Sequence, residues 1–233
     1  VSCSAKLPVL ALFAAAFFRR PALALFFLYT ASIAVGILAA LVLKKTLFRA
    51  AASPFVMELP PYRLPALRTT VQYIRQRIGD FVRKAFSVIL FASLVVWFLQ
   101  TFDFRLRLVA SPADSMLADI GGALSVLFYP LGWRDWRLTA ALITGLTAKE
   151  AVLSTLAVLT GAETGVAVSA LFPSVPAAAA FCVFVLLYPP CAAAMAAVRR
   201  ETSGRFALGL FAFQTAVAYL CAMLVFRVGL WLS

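Results

Sequence analysis

The chain has 233 residues, of which 64% are hydrophobic and 13% charged, with a mean hydropathy of +0.99. Soluble domains are only about half apolar, so this composition excludes a water-soluble globule and points to an integral membrane protein. The net charge of +12 comes from 21 Lys and Arg against 9 Asp and Glu. In a soluble chain it would suggest nucleic acid, but these basic residues flank apolar runs as positive charges flank membrane helices, and no nucleic-acid partner is expected.

The length allows roughly six or seven crossings of about 20 residues each, packed as one domain over residues 1–233. The apolar runs are continuous rather than alternating, which argues against a β-barrel. The expected fold is all-α: a polytopic transmembrane helical bundle. There is no histidine, which removes imidazole ligands, a histidine base and HExxH chemistry. Cys3, Cys182, Cys191 and Cys221 lie in or beside apolar segments without CxxC spacing, so neither a disulfide framework nor a structural zinc site is expected. The sequence starts at Val1 without methionine or a signal-peptide pattern, so a further part is expected upstream.

In chain order, Val1 to Pro8 leads into an apolar helix reaching Phe18, with Pro8 suited to its first turn. Arg19-Arg20-Pro21 marks a turn, and Ala22 to Leu43 reads as a spanning helix without a charge, stopped by Lys44 and Lys45. Lys44 to Lys84 carries 9 basic and 2 acidic residues, the densest positive stretch, and is assigned to the cytoplasmic side. Within it, Phe55 to Arg63 is proline-containing and extended. Leu67, Val71, Ile74, Ile78, Phe81 and Val82 then recur at helical spacing among arginines, as in an amphipathic helix on the inner leaflet or, more plainly, as the helical entry to the next span, two readings that are compatible.

Phe86 to Phe102 reads as a short span. The apolar piece Ile120 to Leu131 is too short for a simple crossing and reads as interfacial or re-entrant. Leu138 to Leu159 reads as a helix holding a deep charged pair, Lys149-Glu150. Intramembrane charges are costly and face a cavity or a partner. Neighbours on a helix point about 100° apart, so the two cannot face one site. Thr147, Glu150 and Ser154 would share one face that could line a cation or proton path, with Lys149 neutralising a partner elsewhere; structural ion pairs between helices are the alternative. Gly161 to Val175 is a loop without Lys or Arg, and Phe206 to Leu232 is the last span.

The apolar run from Pro176 to Val198 is interrupted by Tyr188-Pro189-Pro190-Cys191. A proline lacks the N–H and its ring clashes with the carbonyl four residues back, so the carbonyls of Val185 and Leu186 lose their helical partners. In hydrocarbon such groups must be met by protein, by a water-filled cavity or by an ion. Discontinuous helices of transporters present carbonyl ends to cations in this way. Cys191 would begin the second half-helix, where free N–H groups favour an anion. A simple kink with Cys191 as a small packing residue is the plainer alternative.

The segments SCSAKLPVLALFAAAFF, MELPPYRLP, GLTAKEAVLSTLAVL and LLYPPCAAAMAAVRRE, in that order, resemble the membrane domain of the bacterial ferrous iron transport protein B family (FeoB). The resemblance covers essentially the whole chain. It implies a bundle with broken or re-entrant gate helices: residues 1–43 as the end of a first gate half, 44–84 as a basic cytoplasmic loop with an amphipathic helix, and 85–233 as a second gate half. Matched motif by motif, it implies Cys3 and Cys191 as gate thiols and Glu150 as an acidic residue on a proposed Fe2+ path. The gate backbone at Val185, Leu186, Pro189 and Pro190 and the side chains of Thr147, Lys149 and Ser154 support them. Where the family usually reads SCSARLPVY, this chain has Lys6 and Leu10; lysine keeps the charge but lacks the arginine fork.

The implied function is permeation of Fe2+ across the bacterial inner membrane, linked to a GTPase on an upstream part of the same protein. No GxxxxGK[ST] phosphate loop occurs in these residues, so GTP and Mg2+ belong to that part, and no enzyme activity and no resident cofactor are expected here. Implied partners are membrane lipid, the upstream GTPase domain, a small cytoplasmic accessory protein and a second copy of the chain. The rival readings are a carrier for another divalent metal or for an organic solute such as a nucleoside, a membrane enzyme with Cys191 as nucleophile and Lys149 or Glu150 as base, and a non-transporting anchor.

Overall fold

The computed structural model describes residues 3–46, 66–109, 111–160 and 170–232. The proline-containing stretch Phe55 to Arg63, most of the loop from Gly161 to Val175, and Val1 and Ser2 lie outside the described residues. Among the described residues all regular structure is helical. This follows from the solvent, because a helix satisfies its own backbone where no water can.

A short 3-10 turn, Ser4–Lys6, leads into α1 (Leu7–Phe17), with Pro8 in the first turn where its missing N–H costs nothing. The helix α2 (Pro21–Thr46) ends on Lys44 and Lys45. It is followed by α3 (Leu67–Thr101), α4 (Met116–Ser125) with a 3-10 continuation Val126–Leu131, α5 (Trp136–Thr144) and α6 (Ala151–Thr160). The chain closes with α7 (Val175–Leu187), α8 (Ala192–Glu201) and α9 (Gly204–Leu232). Local signals set several ends. The Ser115 hydroxyl caps α4 by accepting from the Ala118 N–H, and the Asp135 carboxylate caps α5 by accepting from that of Arg137.

Among the described residues three helical segments are long and apolar enough to cross a membrane: Pro21–Thr46, the broken Val175–Glu201 and Gly204–Trp231. A fourth crossing is available if the pair Met116–Leu131 and Trp136–Thr144, bent by 106°, counts as one broken span or re-entrant loop. This is fewer than composition suggested. Much of the apolar sequence is spent on shorter helices, Leu7–Phe17, Phe86–Thr101 and Ala151–Thr160, and on half-helices that meet at breaks. The chain is a multi-pass membrane protein whose bundle contains interrupted helices.

Of two expected elements, one takes the plainer of its two readings and the other a different form. The amphipathic segment from Leu67 and the apolar segment from Phe86 form one unbroken helix of 35 residues, because no proline separates them. At 1.5 Å per residue it extends about 52 Å, well beyond a hydrocarbon core of about 30 Å. The expected helix from Leu138 to Leu159 is instead two helices, α5 and α6, joined by a turn over residues 145–150.

The centre of the bundle is α7, whose Ala177, Ala178, Ala180, Phe181, Cys182, Phe184, Val185 and Leu186 are buried. It packs along α9 and also against α1 and α2. Its alanines permit close helix approach, which replaces the hydrophobic drive that lipid does not supply. Phe13 and Phe17 of α1 meet Phe172 and Phe181, and Trp133 packs on Phe181 and Phe184 while its Nε1–H donates to the Ala177 carbonyl at 2.9 Å. Gly132 turns the chain into this cluster at φ +83°, and a Cβ there would lie 2.6 Å from the Phe226 ring.

Candidate functional site

The site forms where α7 stops. Leu187 is its last helical residue, and Tyr188 and Cys191 both adopt extended backbone (φ −64°, ψ 163°) on either side of Pro189-Pro190. Neither proline has an N–H to give, so carbonyls at the break need partners from elsewhere. They come from two distant parts of the chain.

Lys6, in the turn before α1, donates from Nζ to the Leu186 carbonyl at 2.6 Å, across 180 residues of sequence. Lys149, in the turn between α5 and α6, donates from Nζ to the Pro189 carbonyl at 2.5 Å. Both lysines are buried, at 7% and 3% exposure. The Tyr188 ring sits between these bonds, with Lys149 Nζ 3.2 Å and Lys6 Nζ 5.6 Å from its centroid. Such cation–π contacts gain strength away from water. A third link joins the two interrupted helices directly, the Ala192 N–H donating to the Leu146 carbonyl at 2.7 Å. Gly145 makes room for the assembly, since a Cβ there would collide with Tyr188 Oη and Val152 Cγ2.

A cavity of about 260 Å³ opens beside the break. Its walls bring together Cys3, Lys6, Ser32, Lys149, Leu186, Tyr188, Pro190, Cys191 and Gln214. The two thiols expected from separate motifs therefore line one space. Cys191 is the N-cap residue of α8 and half-buried, and Cys3 is exposed. Cys182 is buried in the core with an exposure of 1%, as expected of a packing residue. Among the described residues the charged side chains on the cavity wall are the two lysines, with no carboxylate beside them. Gln214 Oε1 and Tyr188 Oη are buried without a hydrogen-bond partner among the described residues.

The remaining expected residues lie nearby but not on this wall. Glu150 is exposed on the same turn as Lys149. Thr147 donates back to the Thr144 carbonyl at 2.7 Å, and Ser154, exposed on α6, donates to that of Ala151. Since the turn interrupts the helix, the three do not form the expected continuous face. Val185 is buried in the core, and Pro189 rather than Val185 supplies the second carbonyl of the clamp. Sequence reasoning did not assign Lys6, Tyr188, Ser32 or Gln214 to the site. The available signal was a lysine in each of the two motifs SCSAK and TAKE, in a chain whose break frees carbonyls.

Among the described residues no group of three or more His, Cys, Asp or Glu side chains is placed to hold a metal. Cys3 and Cys191 both line the cavity, and thiol sulfur is a donor that suits a borderline cation.

Comparison with known proteins agrees with the motifs. The family profile described as the C terminus of ferrous iron transport protein B matches residues 25–77, and the Gate profile, described as nucleoside recognition, matches residues 82–205. The chain belongs to the ferrous iron transport protein B family. Among its relatives are the Fe(2+) transporter FeoB of Methanocaldococcus jannaschii, 35% identical over 98% of this chain and 36% of that protein, and the FeoB of Campylobacter jejuni, 35% identical over 96% of the chain and 39% of that protein. A Porphyromonas gingivalis fusion of Fe(2+) transport protein A with FeoB is 31% identical over 99% of the chain and 33% of the fusion. The chain thus spans about a third of the length of these family members. No solved structure matches it.

Proposed function

We propose that this chain forms the permeation path of a GTPase-linked importer that moves Fe2+ across the bacterial inner membrane. The observation that carries the reading is the meeting of Cys3 and Cys191 in one cavity beside a helix break. Thiolate and carbonyl oxygen are ligands that ferrous iron accepts, and a path without histidine must use them. Cys3 and Cys191 act as gate thiols, with the backbone at Leu186, Pro189 and Pro190 lining the break. Glu150 gathers cations at the exposed side of the turn, and Thr147 and Ser154 support that turn.

GTP hydrolysis belongs to another part of the same protein, and the chain itself acts as a permease rather than an enzyme. The names of the relatives support Fe2+ as substrate, and the fusion with Fe(2+) transport protein A supports an accessory protein as partner. A homo-oligomer is compatible with the exposed apolar faces of α2 and α9. The nucleoside wording of the Gate profile raises an organic solute as a second reading, but the broken helix offers few polar groups for recognising a sugar or a base.

The test is Fe2+ uptake under reducing conditions in cells carrying the full-length protein with Cys191→Ser, with Cys182→Ser as control at matched expression. Selective loss in Cys191→Ser is expected. Equal uptake in both would reduce Cys191 to a packing residue.

A further inference from the structure

The cavity poses an electrostatic problem for the reading above. A path for a divalent cation should present negative charge or oxygen, yet the charged side chains on this wall are two lysines, Lys6 and Lys149. Neither is a loose surface charge. Each is buried, each donates to a carbonyl at the break, and both approach the ring of Tyr188. The oxygens of Leu186 and Pro189 are thus already taken, by two cations tethered to the protein.

Two ammonium groups carry the charge of one divalent ion. Removing them while leaving the carbonyls unmet would strand polar backbone in a low-dielectric place, at a cost that proteins rarely bear. A divalent cation meets the same oxygens. Its charge also repels both ammonium groups, strongly so where the surroundings screen little. Gln214 Oε1, on the same wall and without a partner among the described residues, is an acceptor to which a displaced ammonium can turn.

We propose that Lys6 and Lys149 are tethered stand-ins for the permeating ion: their ammonium groups hold the Leu186 and Pro189 carbonyls, and a divalent cation must displace them to pass. This rests on the reading of the cavity as an Fe2+ path. It makes the two lysines specificity-determining residues. A monovalent ion brings half the charge that two ammonium groups supply, so it cannot replace both, and the path stays closed to it.

The test uses the full-length protein, purified under anaerobic conditions, with and without Fe2+. Amine labelling of Lys6 and Lys149 is read by mass spectrometry against exposed Lys44, and alkylation of Cys191 is read in parallel. Displacement predicts that Fe2+ slows Cys191 alkylation while raising the labelling of both lysines by about tenfold, as expected for loss of one hydrogen bond made by a charged donor. Protection of Cys191 with unchanged lysine labelling would overturn the stand-in role and leave the Fe2+ path intact. If neither readout responds to Fe2+, the path reading and the inference fall together. A second arm measures Na+ leak through Lys6→Met and Lys149→Met in liposomes. A rise over wild type is expected and the arginine variants should suppress it, whereas folded methionine variants as tight as wild type would count against the proposal.

Discussion

The Lys149 ammonium lies 3.2 Å from the centroid of the Tyr188 ring and donates to the carbonyl of the following residue, Pro189. One side chain therefore grips both the last aromatic before the double proline and the backbone inside it. The ring, and not the hydroxyl, makes the contact.

Replacing Tyr188 separates these two parts. The hydroxyl is buried without a partner among the described residues, so Tyr188→Phe should leave the melting midpoint in detergent unchanged or raise it. Tyr188→Leu removes the cation–π contacts, worth about 0.5–2 kcal/mol, and should lower it. A drop for Tyr188→Phe as large as that for Tyr188→Leu would show that the hydroxyl carries the stabilisation.

Gly145 should tolerate no side chain. A methyl group there meets Tyr188 Oη and Val152 at once, and neither the ring nor the branched residue can move without disturbing the clamp. Gly145→Ala is expected to cost about 1–3 kcal/mol, by analogy with overpacked cores. Gly122→Ala, where the added carbon meets nothing, is the control, and equal melting curves for the two would contradict the packing described.

Thiol reactivity should follow burial. In the folded protein Cys3 should alkylate fastest, Cys191 more slowly, and Cys182 only on unfolding. Mass spectrometry of the alkylated peptides over time reads this order. Early modification of Cys182 would mean that the α7 core opens far more readily than its packing implies.

Much of this was legible in the residues. Pro189-Pro190 in an apolar run dictates a break, because the loss of two donors is a property of proline itself. The spans at α2 and α9 follow from uninterrupted apolar length. Less legible was the second break. Gly145 to Glu150 contains no proline, and its departure from helix depends on Tyr188, Val152 and the Ala192 N–H, which reach it from other elements. The role of Lys6 was hidden for the same reason. A lysine near a helix start reads as a surface charge until the carbonyl it meets is known to lie on α7. The continuity of α3 was only one of two compatible readings, because the change from amphipathic to apolar composition near Phe86 looks like an element boundary, although nothing there stops a helix.

The bond between Lys6 and the Leu186 carbonyl also sets an order of events during synthesis. The two residues are 180 positions apart. At roughly 5–20 residues per second, about 9–36 s separate the emergence of the first from that of the second. Through that interval Lys6 has no Leu186 to meet, so it must wait in an aqueous or headgroup setting while later helices insert. The seam at the break is therefore among the last parts of the bundle to close, and a nascent chain stalled before α7 keeps a lysine without its carbonyl acceptor.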